Sequence, residues 1–215
     1  MTVQSDSSRK RSSVEARDAK RKLPAERHGE LLARAVEISQ AEGLSAVTLR
    51  RVAADLGVTP GLVSHYFSAA EQLITAAFRA AAIADLEEAR SRIDAAASAV
   101  AKMDALMDYV LDDSSDDASA LWLEAWSLGR RNAPLAAEAK DLTAEWLDCI
   151  AEIVRAGVDD GEFRVADVYV AARRLLTMID GLGAQKVVRA VPSDEAKHIA
   201  RAYFASELGV AGSTS

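Results

Sequence analysis

The chain is short of the residues that stiffen or chemically arm a protein. It has one cysteine, Cys149, four prolines and 5% aromatic residues. A lone cysteine excludes an intrachain disulfide and suits a reducing cytoplasm. No apolar run approaches the ~20 residues a membrane helix needs. The first residues are polar and basic, without the hydrophobic segment of a secretory signal. No stretch alternates with period two, so no sheet is expected. HExxH, Cys-x-x-Cys, phosphate-loop glycine patterns and G-x-S-x-G are all missing, which argues against an enzyme and against a cofactor. The run Asp112–Asp117 lacks the glycine and terminal glutamate of a calcium loop, so it reads as a solvated loop and no metal is expected.

What is present is ordinary in amount and uneven in placement. Half the residues are apolar and 27% are charged, enough for one large domain or a small module fused to a larger one. The net charge is −7. Residues 1–67 carry 11 Lys and Arg against 8 Asp and Glu, whereas 68–215 carry 15 against 25. A basic front on an acidic body favours one docking orientation on a phosphate backbone.

Thr48 to Phe67 spell two short helices joined by a tight turn. Thr48 is a helix cap, and Val52, Ala53 and Leu56 recur at helical spacing. Gly57 can take the left-handed conformation that ends a helix. Thr59 and Pro60 form a second cap and first-turn pair. Val63 and Phe67 bury the second helix, leaving Gly61, Ser64 and His65 outward. This is a helix-turn-helix, a device for placing one helix in the DNA major groove. A helix opened by Pro24 and ended by Gly43, with Leu31, Leu32, Ala35, Val36 and Ile38 as its apolar stripe, completes a trihelical unit over residues 23–68. Residues 1–22 read as a basic flexible tail.

From residue 69 to 215 the pattern is helical throughout. Segments are expected over Ala69 to about Ala97, Val100–Leu111, Ala118–Arg130, Pro134–Val158, Val165 to about Val188 and Ser193–Leu208. The fold is therefore all-α, about nine helices, with a three-helix reading head followed by an all-helical body. Met103, Met107, Trp122, Trp126, Trp146, Cys149 and Met178 are candidate pocket walls, and Tyr109 a candidate polar anchor. Trp122 and Trp126, four apart, share a helix face and suit a flat apolar ligand or a cation.

The segment Glu30 to Leu73 resembles the TetR family of bacterial transcription regulators. Ala35, Gly43, Thr48, Val52, Ala53, Leu56, Gly57, Val58, Tyr66, Phe67, Glu71 and Leu73 carry the likeness. The run Gly61 to Phe67 looks most like the choline-responsive BetI branch. One position departs. Where the family commonly has lysine before the glutamate matching Glu71, this chain has Ala70, so Arg50, Arg51 or the basic tail would replace that phosphate contact.

The resemblance implies a homodimer on double-stranded DNA whose last two helices pair, with Leu175, Leu176, Ile179, Leu182, Ile199 and Tyr203 as interface candidates. It implies a repressor released by a small-molecule effector, and so adds ligand binding and dimerisation to the helical body. An activator of the same family and a helical adaptor without specific DNA binding are the alternatives. Expected DNA contacts are Thr48, Arg50, Arg51, Thr59, Pro60, Gly61, Ser64, His65 and Tyr66.

Overall fold

Pro24 sits in the first turn of α1 (Pro24–Glu42), where its missing N–H leaves no bond unmade. The computed structural model describes residues 23–210, so the basic tail expected over residues 1–22 lies outside the described residues. Gly43, at φ +88°, ends α1 and turns the chain into a 3-10 turn, Leu44–Ala46. The Thr48 hydroxyl accepts from Arg51 N–H at 3.1 Å and starts α2 (Leu49–Asp55). Gly57, at φ +64°, makes the turn. Thr59 then accepts from Leu62 N–H at 3.3 Å to start α3 (Pro60–Tyr66). Both caps satisfy N–H groups that a helix start leaves without partners.

The remaining described helices are α4 (Ala70–Asp94), α5 (Ala99–Val110), α6 (Asp116–Gly129), α7 (Ala133–Asp159), α8 (Val168–Val187) and α9 (Ser193–Glu207). Ser98, Asn132 and Asp167 cap α5, α7 and α8 through their side chains. Among the described residues there is no strand, and no helix is long and apolar enough to cross a membrane. The acidic run forms less of a loop than expected. Asp113–Ser115 is a 3-10 turn, and Asp116 and Asp117 are already the first turn of α6, where carboxylates favour the helix dipole.

Head and body interlock. Leu31, Ala35, Ile38, Val52, Val63 and Phe67 close over Leu73 and Ala77 of α4, so the first turns of α4 belong to the head's core. In return Leu44 leaves the head and is buried with Phe78, Leu121, Ala125, Leu135 and Leu142. Within the body α7 runs against both α4 and α8. A third apolar cluster joins Leu106, Trp146, Ile150, Val154, Leu175 and Phe204.

Candidate nucleic-acid interface and ligand cavity

On α3 the buried residue is Val63, while Thr59, Pro60, Gly61, Ser64 and His65 are exposed. The Ser64 hydroxyl donates to the Pro60 carbonyl at 3.1 Å, leaving its lone pairs free to accept. The His65 ring meets Tyr66 edge-on at 5.3 Å. Tyr66 is half-buried against the head core. A Cβ at Gly61 would meet only Thr59 Oγ1, at 4.0 Å, so nothing inside the protein demands glycine there. His28, exposed on α1, stacks on Phe67 at 4.9 Å and steadies α1 on the end of α3.

The two arginines of α2 differ. Arg50 is exposed and has no ion pair among the described residues. Arg51 is held at both ends. Its Nη2 lies 2.6 Å from Glu42 and its Nε 3.1 Å from Asp55, which also receives Arg34 Nη2 at 2.5 Å. The hydrogen bond from Arg34, with Arg51 adding to it, holds the Asp55 carboxyl below its usual range. Arg51 therefore ties α1 to α2, whereas the sequence offered it as a free phosphate contact. Asp55 is its i+4 neighbour on α2, whereas Glu42, nine residues back on α1, reaches it only in the fold.

Inside the body, α6, α7 and α8 line a partly open cavity of about 70 Å³. Trp122 and Trp126 (ring centroids 5.8 Å apart) and Trp146 form aromatic walls, and Leu176 and Ile179 add apolar surface. Ser115, Ser119, Thr143 and Asp180 supply the polar groups. Burial pushes the Asp180 carboxyl up to about 6. The indole Nε1 of Trp146 is buried without a hydrogen-bond partner among the described residues. A buried donor of this kind is costly unless something accepts from it.

The three tryptophans thus meet where the sequence placed the pocket, but the other expected walls lie elsewhere. Met103 and Met107 are fully buried in the apolar core and Cys149 nearly so. Burial also pushes the Cys149 thiol up, away from reactivity. Tyr109 donates to Asp85 Oδ1 at 2.7 Å and borders a neighbouring cleft between α4 and α6 that shares Trp122 and Ala118 with the cavity. Met178 lies in a surface groove with Tyr169, Arg173 and Tyr203. Asp180 was missed. A single carboxylate in an apolar helix was its only signal, and spacing alone did not separate it from a solvated residue.

The α8 residues expected at an interface lie inside the subunit. Leu175 is 0% exposed, and Leu176, Ile179 and Leu182 are buried within the same subunit. They face α7 and the cavity because α8 is covered on that side by its own chain. The apolar residues that α8 and α9 leave outside are Tyr169 at 49%, Val170 at 45% and Ile199 at 40% exposure, with Tyr203 half-buried beside them.

Known proteins share this fold. Residues 31–77 match the family described as bacterial regulatory proteins of the TetR family. Residues 95–209 match the BetI-type transcriptional repressor C-terminal domain. The chain belongs to the TetR family of bacterial transcription regulators, with a C-terminal domain of the BetI type. It is 29% identical over 157 residues to the HTH-type transcriptional regulator BetI of Rhizobium meliloti (strain 1021), covering 70% of this chain and 73% of the relative. The BetI regulator of Cronobacter sakazakii (strain ATCC BAA-894) is 26% identical over 154 residues, covering 70% and 74%. The fold is also that of a transcriptional regulator from Saccharomonospora viridis solved in complex with choline. That pair has TM-score 0.76 at 22% identity, covering 86% of this chain and 98% of the other. A TetR-family regulator from Cytophaga hutchinsonii superposes with TM-score 0.75 at 15% identity, covering 90% and 100%.

Proposed function

We propose that this protein is a homodimeric cytoplasmic repressor that reads a palindromic operator and is released by a small organic ammonium ion. One observation carries the reading. The same chain presents a capped, outward-facing α3 and contains a tryptophan-walled cavity with one carboxylate, Asp180. Tryptophan faces attract a cation electrostatically, and a half-desolvated carboxylate supplies the counter-charge. The unpartnered Trp146 N–H favours a cation that also bears an oxygen acceptor, as choline does. Choline is the ligand named for the Saccharomonospora viridis structure.

At the DNA, Ser64 and His65 would reach base edges, and Gly61 would let the backbone approach. Thr48, Thr59, Pro60, Arg50 and Tyr66 would lie along the phosphates. Few base contacts per head make doubling necessary, with heads about 34–36 Å apart on half-sites one turn apart. Tyr169, Val170 and Tyr203 of the surface groove, with the exposed Ile199 of α9, would carry the partner subunit. A ligand that prefers wider-spaced heads lowers operator affinity by its differential affinity for the two states. A helical adaptor would not need a capped turn with Arg50, Ser64 and His65 facing outward. The test is selection of bound duplexes from random sequence, followed by titration with choline chloride. A palindromic selected site released by choline supports the reading, and duplexes without a common motif contradict it.

A further inference from the structure

We propose that Glu124 is the positioning residue through which the state of the cavity reaches the helix-turn-helix. The proposal rests on reading the tryptophan-walled cavity as the effector site. Glu124 lies on α6 between Trp122 and Trp126, both cavity walls. Residues two apart on a helix point about 200° apart, so Glu124 faces away from the cavity. There its Oε2 accepts from the backbone N–H of Leu44 at 2.6 Å. Its carboxylate fills the space a Cβ at position 43 would take, and Gly43 also holds φ +88°. Only glycine meets both demands.

Leu44 is thus fixed to the body twice, by its backbone donor to Glu124 and by its fully buried side chain against Leu121 and Ala125 of the same helix. Little slack follows. Val47 N–H donates to the Leu44 carbonyl at 3.2 Å, Val47 is buried in the head core, and Thr48 caps α2. A movement of α6 imposed through Trp122 and Trp126 therefore either carries Leu44 with it or breaks a charge-assisted bond, about twice as strong as a neutral one. Both outcomes alter how α2 and α3 sit on the body.

The test measures amide exchange over residues 44–56 in the full chain, with tryptophan fluorescence reporting the cavity. Glu124→Ala should speed exchange at Leu44 about ten-fold, and Glu124→Gln, which keeps an acceptor, by less. Without ligand, Trp126→Ala should alter exchange over 44–56 when Glu124 is present and leave it unaltered when combined with Glu124→Ala. Additive effects overturn the proposal. With choline chloride, fluorescence should change in both proteins, whereas the exchange response should appear only with Glu124. An equal exchange response in Glu124→Ala overturns the proposal. Absence of any fluorescence change in the parent protein contradicts the choline reading instead, and the ligand-free cycle then decides on Glu124 by itself. If Glu124→Ala loses its helical signal, the same cycle runs with Glu124→Gln. A reduced but non-zero coupling then supports the proposal and an unchanged coupling overturns it.

Discussion

The ring of Phe78 on α4 meets the ring of Trp122 on α6 edge-on, with centroids 5.1 Å apart and planes at 89°. Phe78 is fully buried, and Trp122 is a wall of the cavity. The long helix that enters the head core through Leu73 and Ala77 therefore touches the cavity through one aromatic pair. Phe78→Ala should cost about 3–5 kcal/mol of stability, the range for emptying a buried aromatic site. Phe78→Leu should retain the fold and weaken the effect of ligand on DNA affinity. Thermal denaturation checks the first, and operator titration with and without choline checks the second.

His65 and Arg50 should separate sequence reading from charge. His65→Ala should lower specific affinity by about 1–3 kcal/mol and leave non-specific binding nearly intact. Arg50→Ala should weaken both alike and make the salt dependence shallower by about one unit of slope. Binding titrations on the selected site and on a scrambled duplex, across salt concentrations, measure both. Equal losses for His65→Ala on the two duplexes would remove it from the reading set.

Asp180 sets a pH dependence. Its folded value is about 6 against an ordinary 3.8, because burial disfavours the charged form. As pH rises through that interval the unfolded chain releases the proton first, so the carboxyl subtracts stability, about 3 kcal/mol by pH 7. Asp180→Asn should therefore raise the melting temperature at pH 7 and have little effect below pH 4. A bound cation favours the ionised form, so choline affinity should fall as pH drops through 6 and be largely lost in Asp180→Asn. Calorimetric titration between pH 5 and 8 is the check.

The outer face of α8 should carry the subunit contact. Val170→Glu should give a folded monomer with weakened operator binding, because the residue lies half-exposed among Tyr169 and the surface groove. Leu175→Glu should unfold the body, since it puts a charge at a fully buried position. Sedimentation and circular dichroism distinguish the two outcomes.

The head was legible because its signals are local. Thr48, Gly57, Thr59 and Pro60 each act within four residues, and α2 and α3 begin where those caps stand. The body's helices were legible for the same reason, as Pro134 and the Asp159–Gly161 turn show. The assignment of faces was less so. Helix α8 carries Leu175, Leu176, Ile179 and Leu182 inside and Tyr169 and Val170 outside, so its apolar residues could be assigned to the core or to a partner, and Leu175, assigned to a partner, lies inside the subunit. Met103 and Met107 share this ambiguity, since a core methionine and a pocket methionine have the same spacing. Arg51 and Glu124 depend on partners 9 and 80 residues away, at Glu42 and Leu44, which no local pattern encodes.

The most direct measurement is the affinity of the full chain for its selected duplex, by fluorescence anisotropy, with choline bound in the cavity and without it. The account predicts two subunits per site and a clear loss of affinity when choline occupies the cavity. An unchanged affinity with choline demonstrably bound would contradict it.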